Sequence, residues 1–93
     1  MKRTWDDLRQ EIQSFADLEP NWDSYGSLPI SEGVIERAIA ATIRMEQNKM
    51  SIPYAVPSSN GGIQFEWDDG ANYVYLGVEP DCTTTIYHNV GNE

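Results

Sequence analysis

No lysine or arginine follows Lys49 in this 93-residue chain. Residues 50–93 hold six acids, Glu66, Asp68, Asp69, Glu79, Asp81 and Glu93, and no base, a balance of −6. Residues 1–49 hold all six bases and nine acids, a balance of −3, and the whole chain carries −9. Such a field argues against direct nucleic-acid binding, which relies on Lys and Arg displacing phosphate counterions. It favours a basic partner and speeds association with one. The same charge also serves solubility.

Cysteine and histidine are nearly absent. A lone Cys82 excludes an internal disulfide and fits a reducing cytosol, so the expected location is cytoplasmic. "MKRTWDD" has no apolar stretch behind it, which argues against a signal peptide. No run approaches the roughly 18 apolar residues of a membrane helix. Metal sites need clustered His, Cys or carboxylates. Cys82 and the single His88 stand six apart, and Glu66, Asp68 and Asp69 lack the spacing of a calcium loop. Nucleophilic catalysis wants a base beside the nucleophile, and "SNGG" lacks the lysine and following helix of a phosphate loop. The expectation is a non-enzyme with no metal and no cofactor.

What is present is a change of period. One α+β domain over 1–93 is expected. Thr4 can cap a helix over about 4–18, with Asp6 and Asp7 in its first turn. Trp5, Leu8, Ile12, Phe15 and Leu18 make its apolar stripe. A second helix is expected over about 31–48 from a Ser31 cap, with Ile30 and Ile35 as a staple. Val34, Ala38, Ala41 and Met45 form one apolar row, and Ile35, Ile39 and Ile43 the next. After "NKMS" the pattern alternates. Strands are expected at about 53–57, 62–67, 71–79 and 83–88, the first an edge strand at most because of its prolines. "DDG" at 68–70 and "EPDC" read as hairpin turns. The result is two helices packed on one face of a three- to four-stranded antiparallel meander. Ile63, Phe65, Trp67, Val74, Leu76, Val78 and Ile86 should pack under the helices.

The other sheet face is then open. Alternation assigns it Gln64, Glu66, Tyr73, Tyr75, Thr83, Thr85 and Tyr87, with Asp68, Asp69, Glu79 and Asp81 at the flanking turns. Tyrosine offers contact area at low entropic cost and is enriched at interfaces; cross-strand tyrosines can also serve the sheet alone. A second candidate is a pocket between the interhelical loop and the sheet, formed by Trp22, Asp23 and Tyr25, with Asp23 as its polar group. The structural alternative has Trp22 anchoring the loop and Asp23 bonding its own turn.

"NWDSYGSLPIS" (21–31), "IPYAVPSSNGGIQFEW" (52–67) and "GVEPD" (77–81) follow one another in this order. In these segments the chain resembles an uncharacterised family of small bacterial and phage (mobile-element) proteins. That family pattern has an Asn-Trp-Asp-x-Tyr-Gly segment and a Gly-Gly-Ile-x-x-Glu-Trp strand. The resemblance covers about residues 18–81. Ser27 stands where the pattern has alanine, and "PDC" where it has Pro-Asp-Gly. The resemblance carries no activity, cofactor or catalytic residue. It implies a mobile-element setting, hence the host cytosol for a phage-encoded chain. Small acidic proteins there are often inhibitors of host defence or antitoxin-like partners.

The leading expectation is a non-enzymatic, anti-defence type inhibitor. It would occlude a basic surface of a partner, for instance a host nucleic-acid-binding defence protein. One alternative is a small-molecule binder that sequesters a nucleotide signal. The other is a structural homo-oligomer, with the sheet face or an edge strand closing a symmetric dimer.

Overall fold

Thr4 and Asp7 cap each other. The Thr4 hydroxyl accepts from the Asp7 N–H at 3.0 Å, and the Asp7 carboxylate accepts from the Thr4 N–H at 2.9 Å. This capping box starts α1, Trp5–Ser14. In the computed structural model, which describes residues 2–68, 70 and 72–90 (backbone alone at 72 and 87–90), α1 tightens into a 3-10 turn, Phe15–Asp17. The Ser31 hydroxyl accepts from the Val34 N–H at 3.2 Å and starts α2, Glu32–Gln47. Ile30 and Ile35 are both buried beside that cap.

Four strands follow: β1 Tyr54–Pro57, β2 Ile63–Asp68, β3 Asn72–Val78 and β4 Thr84–Val90. They pair antiparallel in the order β1-β2-β3-β4. The fold is α+β, two N-terminal helices and a four-stranded meander, with the helices against the sheet. The "IPYAVP" segment does form the fourth strand, and it lies at the edge, where missing proline donors cost no ladder bond.

The core joins Leu8, Ile12 and Phe15 of the first helical segment to Val34, Ile35, Ala38 and Met45 of α2 and to Ile63, Phe65 and Val78 of the sheet. Trp67 and Leu76 pack at its margin. One polar clamp crosses the helix pair. Arg9 Nε donates to the fully buried Thr42 hydroxyl at 3.0 Å, and its guanidinium also bonds Glu46. Thr42 donates onward to the Ile39 carbonyl at 2.6 Å, so no polar atom of the clamp is stranded.

Two apolar assignments are corrected. Ile86 pairs with Leu76 and so belongs to the helix-bearing face, yet it is 73% exposed. The helices lie over β1, β2 and β3, and the coverage stops short of β4. Ile43 is 45% exposed, because Thr42 takes the buried position beside it. The row of isoleucines at 35, 39 and 43 drifts round the helix, and by its third member it has left the core.

A candidate acidic tyrosine face

The register assembles the open face row by row. Tyr54 of β1 pairs with Glu66 of β2, Glu66 with Tyr75 of β3, and Tyr75 with position 87 of β4. One straight row thus crosses all four strands. The next row is Val56, Gln64, Gly77 and Thr85. On the other side Asp68 pairs with Tyr73, and Tyr73 with position 89. Period-two alternation puts all these positions on the face away from Ile63, Phe65 and Val78.

Within the face, groups are fixed by each other. The Tyr73 hydroxyl donates to Glu66 Oε1, one diagonal step across the β2–β3 pair. That bond, then burial and the Glu66 charge, push the Tyr73 phenol up to about 12. Tyr73 and Tyr75 stack tilted, with centroids 6.3 Å apart and planes at 51°. Both are half-buried. Tyr54 is 64% exposed, and the Arg3 guanidinium covers its ring at 4.7 Å from the centroid.

Gly77 makes room for a further carboxylate. A Cβ there would stand 2.9 Å from Glu79 Oε2 and 2.9 Å from the Thr85 hydroxyl. With no side chain at 77, Glu79 folds back over the sheet and accepts from Thr85 at 3.2 Å. Gln64, Glu66, Tyr73, Tyr75 and Glu79 are therefore brought together. Asp68 lies at the border, exposed, with its carboxylate accepting from the Gly70 N–H at 2.9 Å in the hairpin turn. Gly70 takes φ +91°, which favours glycine. Asp69 lies outside the described residues, and so does the side chain of Tyr87, whose backbone stands in the tyrosine row.

Asp81 and Thr83 are placed differently. Asp81 accepts from the Thr83 hydroxyl at 2.6 Å and the Thr83 N–H at 3.0 Å, and these bonds hold its carboxyl below its usual range. Both residues belong to the β3–β4 turn, and Thr83 precedes β4 instead of lying within it. Alternation alone did not single out Tyr54. Its signal was the alternation of Tyr54 and Val56 around Ala55, obscured by the two prolines.

The Trp22–Asp23–Tyr25 loop spends its polar groups on itself. Trp22 Nε1 donates to the Leu28 carbonyl at 2.8 Å. Asp23 Oδ1 accepts from the Tyr25 N–H at 2.8 Å and the Ser27 N–H at 3.3 Å. Ser27 and then the Tyr25 N–H, gathered around the carboxylate, hold Asp23 below its usual range. The buried Ser27 hydroxyl itself stands outside hydrogen-bond geometry with any described residue. Tyr25 is 91% exposed.

A separate groove of about 310 Å³ runs on the helix-bearing side, between α2 and the β3–β4 half of the sheet. Ala41, Met45, Met50, Trp67 and Leu76 supply its apolar lining, and Arg37 and Arg44 its charge. No group of three or more potential metal ligands occurs among the described residues. No helix among them is long and apolar enough to cross a membrane. No protein-family model, curated protein or solved structure matches this chain.

Proposed function

We propose that the chain is a non-enzymatic binding protein whose open sheet face docks on a basic surface of a partner protein. The observation that carries this reading is the row Tyr54–Glu66–Tyr75–position 87, flanked by Tyr73 and the Glu79 carboxylate. Aromatic rings held among fixed carboxylates suit Lys and Arg side chains, by ion pairing and by cation–π contact. Arg3 over Tyr54 is such a contact within the chain itself. The acidic balance of residues 50–93 adds long-range attraction, which acts mainly on the association rate. In a mobile-element setting, the reading becomes an inhibitor that occludes a nucleic-acid-binding groove of a host defence protein. Affinity capture from host lysate tests it. A basic protein should be retained at low salt and released at high salt, and a folded Tyr73→Ala/Tyr75→Ala variant should lose it.

The α2 groove supports a second reading, sequestration of an anionic small molecule such as a nucleotide signal. Arg37 and Arg44 make no ion pair among the described residues, and they line that groove together with Trp67. A thermal shift on adding nucleotides, abolished by Arg37→Ala/Arg44→Ala, would favour this reading over the first.

A further inference from the structure

The sheet has two edges, and they are built differently. β1 has Pro53 before it and Pro57 at its end, and prolines offer no outward N–H for pairing. β4 is seven residues long and has no proline. From Cys82 to Val90 there is no Lys, Arg, Asp or Glu. Sheet edges are usually defended by charge, proline or a covering element. β4 has neither of the first two, and the helices lie over the other three strands.

The ladder tells which backbone groups face outward. The Glu79 N–H donates to the Thr83 carbonyl at 2.8 Å, so that pair is a hydrogen-bonded one. In an antiparallel ladder such pairs alternate. The pairs 77–85, 75–87 and 73–89 then bond within the sheet. The N–H and C=O groups of residues 84, 86, 88 and 90 point away from β3, to an edge that no described strand pairs with. Ile86, 73% exposed, is the large apolar residue beside them.

Charge selects the occupant. Copies of a chain at −9 repel wherever they present carboxylates to each other. The side chains of 82–90 include none, and the Glu79 carboxylate that reaches Thr85 lies on the open face, opposite to Ile86. A two-fold interface must be complementary to itself, and an uncharged strand meeting its own copy meets that condition.

We propose that β4 pairs antiparallel with β4 of a second copy across a two-fold axis, joining two sheets into one of eight strands. The register that uses all four outward residues sets 84 against 90 and 86 against 88, with residue 87 opposite its own copy. The two Ile86 residues then flank the axis on the helix-bearing side, each beside position 88 of the other copy. On the opposite side the two acidic tyrosine faces become continuous.

The test is the solution mass of the full chain by sedimentation equilibrium, from about 10 µM to about 1 mM, at low and high salt. The mass should rise from 10.5 kDa toward about twice that value. Association should strengthen with salt, because screening removes the repulsion between like-charged copies. Ile86→Lys and, separately, Thr84→Lys should hold the mass at the monomer value with an unchanged circular dichroism spectrum. In the unaltered chain, the amide protons of Thr84 and Ile86 should exchange more slowly as concentration rises. A monomer over the whole range overturns the proposal. So does a dimer that persists in both lysine variants, or one that leaves those two amides unprotected.

Discussion

The Tyr73 hydroxyl donates to the Glu66 carboxylate across the β2–β3 pair, and the two residues lock the centre of the open face. The bond has a titration consequence. It raises the Tyr73 phenol from 10.0 to about 12. A raised folded-state value means that this contribution to stability is complete below pH 10 and is lost between about 10 and about 12. Spectrophotometric titration should show one tyrosine ionising late. In Glu66→Gln that late step should move back toward the ordinary range, because both the charge and the strongest acceptor are gone.

Gly62 and Gly77 separate backbone from side-chain crowding. A Cβ at Gly62 would stand 2.6 Å from the Val78 carbonyl oxygen, which is held in the sheet. Gly62→Ala should therefore cost on the order of 2 kcal/mol or more in a urea melt. At Gly77 the close atoms are the ends of the Glu79 and Thr85 side chains, which can swing aside. Gly77→Ala should change stability by less than about 1 kcal/mol. It should still displace Glu79 from the face and weaken capture of the basic partner.

The clamp between the helices gives a third outcome. Arg9→Ala removes the donor to Thr42 and leaves a fully buried hydroxyl with its acceptor capacity unused. The loss should be about 1–2 kcal/mol by chemical denaturation. Thr42→Val made together with Arg9→Met should recover part of it, because replacing both partners with apolar groups removes the stranded atom.

Trp22 tests the interhelical loop. Trp22→Phe keeps most of the ring and deletes the bond to the Leu28 carbonyl. It should cost about 1 kcal/mol and leave partner capture intact. Full loss of capture in a folded Trp22→Phe protein would move the binding surface to this loop.

Period explains what the sequence made legible. Ile63, Phe65, Glu66, Tyr73 and Tyr75 fell on the expected faces, because a strand whose one face is buried admits only one phase. Capping chemistry placed both helix starts, through Thr4 and Ser31. Ile86 was misplaced because alternation gives a face and says nothing of how far the helices reach across it. Tyr54 was missed because the edge strand at 53–57, though expected, had no face or register assigned against β2. Glu79 reaches the face through a gap at Gly77, a relation between three residues that no single spacing encodes.

Salt-dependent capture reads most directly whether the acidic tyrosine face binds a basic partner. Immobilised chain and its Tyr73→Ala/Tyr75→Ala variant, both shown to be folded, are exposed to host lysate at low and high salt. One basic protein should be retained by the unaltered chain at low salt, released at high salt and absent from the variant. Self-association through β4 should strengthen with salt, so the two interactions can be told apart. Retention of the same protein in full by the folded variant, or retention that salt leaves unchanged, would rule out docking through this face.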